Sequence, residues 1–230
     1  LDGAGDVPCL VQQYVFIRFD DDQSGSVQVG REPLGAHQAF GMRVLGELRG
    51  CVSAWHLAHE GGCPPGGVRT NPGARDPNLP SRSIPVELPG ALYFAGQSQQ
   101  WGGGVAFYDH DATGPTAARG YLVTAAQFAD IAAQEMHRVP DPDDPLEEVL
   151  IEGLTDGRHE AGPGHYETLI EVGEYDGMPM LTFTAPHGLD RVTHTKPSPA
   201  YLEMLTVGLR QGHGWSADEA DDYFARIISG

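Results

Sequence analysis

The sequence predicts a mixed α+β fold, a small β-barrel with flanking helices, from three observations. Short apolar runs bounded by glycine and proline fill residues 84–123, as expected of β-strands. A helical pattern over 125–138 interrupts these strands, and further helical patterns follow Ser198. Because the helices are inserted and appended rather than alternating with each strand, the order suits an α+β fold better than a doubly wound parallel sheet.

Turn and cap residues place several of the individual elements. Asp176-Gly177 is the best hairpin signal in the chain. Ser198-Pro199 has the form of a helix cap followed by a first-turn proline, and Ser216 with Glu219 forms a capping box. The predicted strands are 14–19, 84–88, 91–95, 102–108, 119–123, 165–173 and 178–184; the other predicted helices are 34–60, 146–154 and two that begin after Ser198 and Ser216. A long loop rich in proline and glycine is predicted over 61–83.

The composition excludes two classes of partner. The chain has 230 residues, of which 32 are acidic and 14 basic, for a net charge of −18. Nucleic acids and anionic membranes both bind basic surfaces, so neither is expected as a partner. No run approaches the ~20 apolar residues of a membrane helix, and no stretch has the form of a signal peptide, which favours the cytoplasm. Cys9, Cys51 and Cys63 have no paired spacing, so free thiols are predicted.

The segment Tyr121–Met136 reads as the end of a strand followed at once by a helix. Thr124 can cap this helix, and Gln127 three residues later completes a capping box. Inside the helix an apolar stripe recurs at spacings of three and four, formed by Phe128, Ile131 and Ala132. The sequence therefore predicts one buried helix face.

Glu135 continues this stripe, seven residues after Phe128, and is predicted to point inward near the end of the helix. Burial disfavours the charged form of a carboxyl and raises its pKa. A carboxyl tuned upward in this way can exchange protons near neutral pH, which makes Glu135 the candidate general acid and base. The alternative is a glutamate at the rim of the fold that pairs with Arg138 or with solvent.

Two other chemistries have weaker signals. His56-x-x-His59-Glu60, near Cys63, has neither of the histidine and glutamate orders of zinc proteases. The polar end of a helix is the alternative, and no metal site is predicted. His110, between two aspartates, is predicted to lie in a solvated turn at the end of a strand. Gly96-Gln-Ser98 lacks the second glycine and the following helix of a serine hydrolase nucleophile.

Five stretches carry a resemblance to a known family: Leu92-Tyr-Phe-Ala-Gly, Trp101-Gly-Gly-Gly-Val-Ala-Phe-Tyr, Gly120-Tyr-Leu-Val-Thr, Gln134-Glu135 and Gly164-His-Tyr-Glu-Thr. With the hairpin after them, they make residues from about 63 to 224 resemble the γ-glutamylcyclotransferase-like family. The resemblance is greatest to actinobacterial members, which include enzymes that unmask γ-glutamyl-protected antibiotic intermediates. It divides the chain into an atypical, partly helical N-terminal segment, 1–62, and a γ-glutamylcyclotransferase-like domain, 63–230.

The resemblance implies a small mixed β-barrel and an enzyme that needs no metal or cofactor. Its partner would be a small γ-glutamyl amide or peptide, which is cleaved with release of 5-oxoproline. Glu135 occupies the position of the family's catalytic glutamate. Tyr166 would hold the substrate carboxylate, although a tyrosine that fills the core is equally consistent with the sequence. Gly103 and Gly104 are the other implied substrate-binding residues.

One family motif is missing. The family's first strand ends in a Tyr-Gly-Ser-Asn loop whose backbone amides hold the substrate, and this chain contains no such tetrapeptide. The segment Phe94–Ser98 is superficially similar but belongs to the second matching strand. A shift of reading frame near Gly46 is one hypothesis for the absence, which the coding DNA would test. Two other functions therefore stay open: a non-catalytic binding module on the same fold, and a metal-dependent hydrolase or deacetylase that uses the histidines.

Overall fold

The computed structural model describes most of the chain after residue 70 and one strand before it. The described ranges are 14–19, 71–78, 80, 82–98 and 101–229, with side chains outside 14–19. The strands are β1 (Tyr14–Phe19), β2 (Arg82–Leu88), β3 (Ala91–Ala95), β4 (Val105–Asp109), β5 (Thr116–Thr124), β6 (Arg158–Glu160), β7 (Thr168–Tyr175) and β8 (Met178–Thr184). The α-helices of this part are α1 (Ala125–Glu135), α2 (Leu146–Glu152), α3 (Pro199–His213) and α4 (Ala217–Ser229).

Strand β1 lies inside a six-stranded sheet with the order β2-β5-β1-β8-β7-β6. It runs parallel to β5, with Tyr14 opposite Arg119 and Phe19 opposite Thr124, and antiparallel to β8. Strands β3 and β4 pair antiparallel in a second sheet. The predicted mixed α+β class is confirmed. The predicted division at residue 62 stays a prediction, but a strand from the first segment shares a sheet with strands of the second.

Side-chain hydrogen bonds hold the β3–β4 sheet against the larger sheet. The Thr184 hydroxyl, at the end of β8, donates to the Tyr108 carbonyl at 2.6 Å and accepts from the Tyr108 N–H at 3.3 Å. The Thr116 hydroxyl, at the start of β5, donates to the Gly90 carbonyl at 2.7 Å. Both hydroxyls are buried, so these bonds offset the desolvation of backbone groups on the facing strands.

The two C-terminal helices begin where the sequence predicts. Ser198 Oγ accepts the N–H of Tyr201 at 3.2 Å at the start of α3. At the start of α4, Ser216 and Glu219 form the predicted reciprocal pair, with the Ser216 N–H donating to the Glu219 carboxylate at 2.8 Å and the Glu219 N–H donating to Ser216 Oγ at 3.2 Å. The Asp176-Gly177 hairpin between β7 and β8 is also confirmed.

Several predicted boundaries are wrong for local backbone reasons. The helix predicted over 125–138 ends at Glu135, because the chain turns at Met136 and His137 has φ 59°. Strand β4 begins at Val105 rather than 102, because Gly102 and Gly103 have φ of 70° and 69° and form a turn. Strand β7 begins at Thr168 rather than 165 because a turn precedes it. Helix α2 ends at Glu152 because Gly153 has φ 91°.

Some predicted features lie outside the described residues. These are the helix over 34–60, the three cysteines, the His56–Glu60 motif, most of the 61–83 loop and the region of the missing Tyr-Gly-Ser-Asn motif. Among the helices that the structure describes, none is long and apolar enough to cross a membrane.

Candidate active site at the end of helix α1

Helix α1 follows β5 without a loop because Thr124 both ends the strand and caps the helix. The Gln127 N–H donates to Thr124 Oγ1 at 3.1 Å, and the Thr124 N–H donates to Gln127 Oε1 at 3.2 Å. This is the predicted capping box. The apolar face of α1 lies in the main core, where the ring centroids of Phe128 and Phe183 are 6.0 Å apart.

Glu135 is the last residue of α1 and is 1% exposed. The prediction that it points inward is therefore confirmed. The alternative of a glutamate at the solvent-exposed rim is wrong, because Glu135 is almost fully buried. Arg138 lies near Asp144 and Glu167, at 3.7 Å and 3.4 Å. Burial raises the pKa of Glu135 well above its ordinary value, since removing water disfavours the carboxylate more than the neutral acid. Glu135 therefore holds a proton more tightly than an exposed glutamate does, which is the direction that general acid–base catalysis requires.

Two buried tyrosines meet at the backbone of Ala106, on β4. The Tyr166 hydroxyl donates to the Ala106 carbonyl at 3.3 Å, and the Ala106 N–H donates to the Tyr201 hydroxyl at 3.4 Å. Tyr166 also stacks on Phe107, with ring centroids 5.2 Å apart. Burial raises the pKa of Tyr166 well above its usual value, and the charges of neighbouring groups, Glu135 among them, add to the rise. Tyr166 and Glu135 therefore lie in one buried cluster.

Tyr166 occupies the core, as one of its two predicted roles requires. It is 2% exposed, and its hydroxyl proton is engaged by a backbone carbonyl. A phenolic oxygen that donates one hydrogen bond keeps acceptor capacity. Its predicted contact with a substrate carboxylate stays a prediction.

Gly103 and Gly104 pack against the segment 195–198. The Gly104 N–H donates to the carbonyl of Lys196 at 2.9 Å, and Gly103 forms a β-bridge with Pro197. A Cβ atom at either glycine would collide with the backbone of this segment, and Gly103 also has positive φ. The structure therefore gives both glycines a packing reason, and their predicted role in substrate binding stays a prediction.

The second face of α1 is polar and is covered by residues 71–78, which we call the strap. The Gly73 N–H donates to Gln134 Oε1 at 3.0 Å. At the other end of the strap, Gln127 Nε2 donates to the Asn78 carbonyl at 2.9 Å. The strap therefore satisfies polar groups along the face of α1 that turns away from Glu135.

Asp130 is a second buried carboxylate on α1, 1% exposed, and sequence reasoning missed it. It accepts the backbone N–H of Arg75 at 2.7 Å, and its Oδ1 lies 2.9 Å from the Arg75 guanidinium. Arg75 also reaches Glu147 on α2, at 2.7 Å. Gln127, Asp130 and Gln134 form a polar stripe at spacings of three and four, which ordinarily indicates a solvent-exposed face, so no signal in the sequence indicated that Asp130 is buried.

A different set of polar groups lies at the end of β4 and in the turn after it. Asp109, His110 and Asp111 each offer a ligand atom, and these atoms lie within 4.8 Å of one another. Asp109 is buried, whereas His110 and Asp111 are exposed, so the predicted solvated turn at His110 is confirmed. The three groups line a polar pocket, and a narrow apolar cleft lies between β5 and α3. Glu135 lines neither.

The comparisons with known proteins give one partial similarity. No family model matches the chain, and no solved structure matches it. The chain is 29% identical over 173 residues to a curated protein, histone deacetylase 5 of Arabidopsis thaliana. The matched region takes in 68% of this chain and 26% of that protein, so the chain spans about a quarter of the relative's length. This similarity establishes neither a family nor an activity for the chain.

Proposed function

We propose that the protein is a γ-glutamylcyclotransferase-like enzyme that releases 5-oxoproline from a small γ-glutamyl amide or peptide. The observation that carries the proposal is Glu135, a buried carboxyl at a helix end whose pKa is raised by burial. The resemblance assigns the same residue to catalysis. A reaction with an internal nucleophile needs little from the protein beyond positioning and proton transfer.

Glu135 serves as both base and acid in the proposed reaction. Its carboxylate takes a proton from the substrate's α-ammonium group, and the freed amine attacks the γ-carbonyl carbon. The resulting tetrahedral centre collapses by breaking the bond to the leaving nitrogen, which receives the proton held by Glu135. The ring nitrogen gives its second hydrogen, as a proton, to the released amine. The products are 5-oxoproline and the protonated amine. A raised carboxyl pKa brings the base closer to the ~8 of an α-amino group, which makes the first transfer less unfavourable.

We also propose that the two sheets form the small β-barrel of the γ-glutamylcyclotransferase-like family. The support is that β3–β4 contacts the larger sheet at more than one place, through Thr184 at the end of β8 and Thr116 at the start of β5. In this arrangement β3 and β4 would close one side of the barrel. Glu135 would then project from α1 into the barrel core beside Tyr166.

The test is formation of 5-oxoproline from γ-glutamyl dipeptides, measured with and without EDTA. We expect product in both conditions and a fall of at least about 10²-fold in Glu135→Gln, the size of general acid–base catalysis. The matched control is Glu152→Gln, which removes an exposed carboxylate from α2 and should retain full activity. If Glu135→Gln, still folded by circular dichroism, turns over normally, the proposed role of Glu135 is wrong. Saturable binding without turnover would support the binding-module alternative.

A metal-dependent deacetylase is the second candidate. Its support is the name of the Arabidopsis relative, together with the possible ligands Asp109, His110 and Asp111. Release of acetate from acetyl-lysine peptides that is lost with EDTA and with Asp109→Asn would favour this function. Product that appears only with γ-glutamyl substrates would exclude it.

A further inference from the structure

A polar pocket of about 520 Å³ lies beyond the ends of β4 and β8. This size falls within the range of small-molecule sites. Three parts of the chain form it: the turn after β4, the segment that follows β8 together with the turn Leu189–Arg191, and Arg158 on β6. The side chains that carry the argument are Asp109, Asp111, Arg158, His187, Asp190 and Arg191.

The walls of this pocket are fixed by hydrogen bonds. The buried carboxylate of Asp109 accepts the N–H of Leu189 at 2.8 Å and that of Asp111 at 3.0 Å. The Tyr93 hydroxyl donates to the carbonyl of His187 at 3.0 Å. The turn after β4 and the segment after β8 are therefore held together by hydrogen bonds within the protein.

Both signs of charge line the pocket, and several polar groups there are not engaged. Among the described residues, neither Asp190 nor Arg191 takes part in an ion pair, and both are exposed. Arg158 pairs with the exposed Glu160 at 3.2 Å, a contact that water screens strongly. His187 Nδ1 is buried and meets no hydrogen-bond partner within the described part of the chain. A buried polar atom without a partner costs free energy that a ligand can recover.

We propose that this pocket binds a small zwitterion, such as an amino acid or a dipeptide with free termini. The ligand's carboxylate pairs with the guanidinium groups of Arg158 and Arg191. A guanidinium group can form two parallel hydrogen bonds with a carboxylate. Its ammonium group donates to the carboxylates of Asp111 and Asp190. The site is separate from Glu135, so the proposal does not depend on the cyclotransferase reaction.

The test is calorimetric binding to the full chain of three probes with one skeleton. These are alanyl-alanine, its N-acetyl derivative, which lacks the ammonium, and its C-terminal amide, which lacks the carboxylate. We expect saturable binding of alanyl-alanine. Each derivative should bind at least about tenfold more weakly than alanyl-alanine, because each loses hydrogen bonds between charged groups. The variants Arg191→Gln and Asp190→Asn should weaken alanyl-alanine binding by about tenfold or more for the same reason. Both residues are exposed, so neither substitution should impair folding.

The matched control is Arg210→Gln, which removes an exposed guanidinium from α3 and should leave binding unchanged. Glu135→Gln should also leave it unchanged, which separates this site from the proposed active site. Equal binding of alanyl-alanine and its N-acetyl derivative would overturn the proposal, as would variants that bind like Arg210→Gln. Binding of Mg²⁺ or Zn²⁺ to Asp109, His110 and Asp111 without binding of alanyl-alanine would also overturn it.

Discussion

Helix α1 carries two buried carboxylates whose surroundings differ. Asp130 faces the strap, where the backbone and guanidinium of Arg75 both donate to it. Glu135 faces the aromatic core near Tyr166. Burial raises the pKa of both and is the largest cause at each, but the hydrogen bonds and the charge of Arg75 oppose part of the rise at Asp130. The comparison teaches that burial alone does not make a proton-transfer group. A carboxylate with a fixed guanidinium partner keeps its charge more readily than one buried among aromatic rings, although the pKa of both is raised.

The largest effect on stability should come from removing the partner of Asp130. Arg75→Met keeps an aliphatic side chain but leaves a buried carboxylate without its guanidinium. We expect a loss of roughly 3 kcal/mol, near the lower end for broken buried pairs because Arg75 is itself partly exposed. Urea unfolding at pH 7 measures the change.

The control for this variant is Arg82→Met, which removes an exposed pair with Asp176 at 3.6 Å. It should change stability by less than about 1 kcal/mol. If the two variants are equally mild, Asp130 does not depend on Arg75. Adding Asp130→Leu to Arg75→Met should restore part of the loss, because it removes the isolated buried charge.

The next effect concerns the pH dependence that Glu135 confers. Its folded pKa lies above its unfolded pKa, so the native state holds one more proton than the unfolded state between these two values. Stability therefore falls as the pH rises from about 4.3, the unfolded value for Glu, through the folded pKa. Glu135→Gln removes this decline in stability. The decline amounts to up to about 1.4 kcal/mol for each unit by which the folded pKa of Glu135 exceeds its unfolded pKa.

Urea unfolding of the wild type and Glu135→Gln between pH 4 and pH 9 measures this difference. We expect the variant to gain relative to the wild type as the pH rises, and the Glu152→Gln control to show no such gain. Parallel curves for the wild type and Glu135→Gln would mean that Glu135 is not desolvated in the native state.

The smallest effect should come from the start of the helix, distant from both carboxylates. Thr124→Ala removes the oxygen that accepts the Gln127 N–H, which should cost about 1 kcal/mol. Turnover of γ-glutamyl dipeptides should remain unchanged, because Glu135 is at the opposite end of α1. Thermal unfolding and the 5-oxoproline assay on one preparation check both statements. A loss of turnover at a temperature where the variant is fully folded would contradict them.

Local signals predicted a large part of the fold. The capping box of α1, the Asp176-Gly177 hairpin and the Ser198 cap were found because each depends on residues that are close in sequence. The inward position of Glu135 followed from helix periodicity in the same way. The boundaries were less accurate because a single residue, such as His137 with φ 59°, ends a helix whose composition would allow it to continue.

Long-range contacts account for what the sequence did not predict. Asp130 is buried because Arg75, 55 residues earlier, lies across the helix, and no periodicity encodes that meeting. The packing of Gly103 against Pro197 is of the same kind, since a glycine pattern alone does not say which backbone approaches it. The polar pocket likewise combines side chains from three parts of the chain.

The position of β1 between β5 and β8 has a consequence for how the chain folds. Its partners on β5 lie about 100 residues later in the sequence, and contacts of such separation form slowly. Until β1 docks, β5 and β8 each present an edge of unpaired backbone groups, which can pair with the strands of another molecule. During synthesis β1 is made before both of its neighbours, so it cannot pair with β5 until about half of the 230 residues have been made.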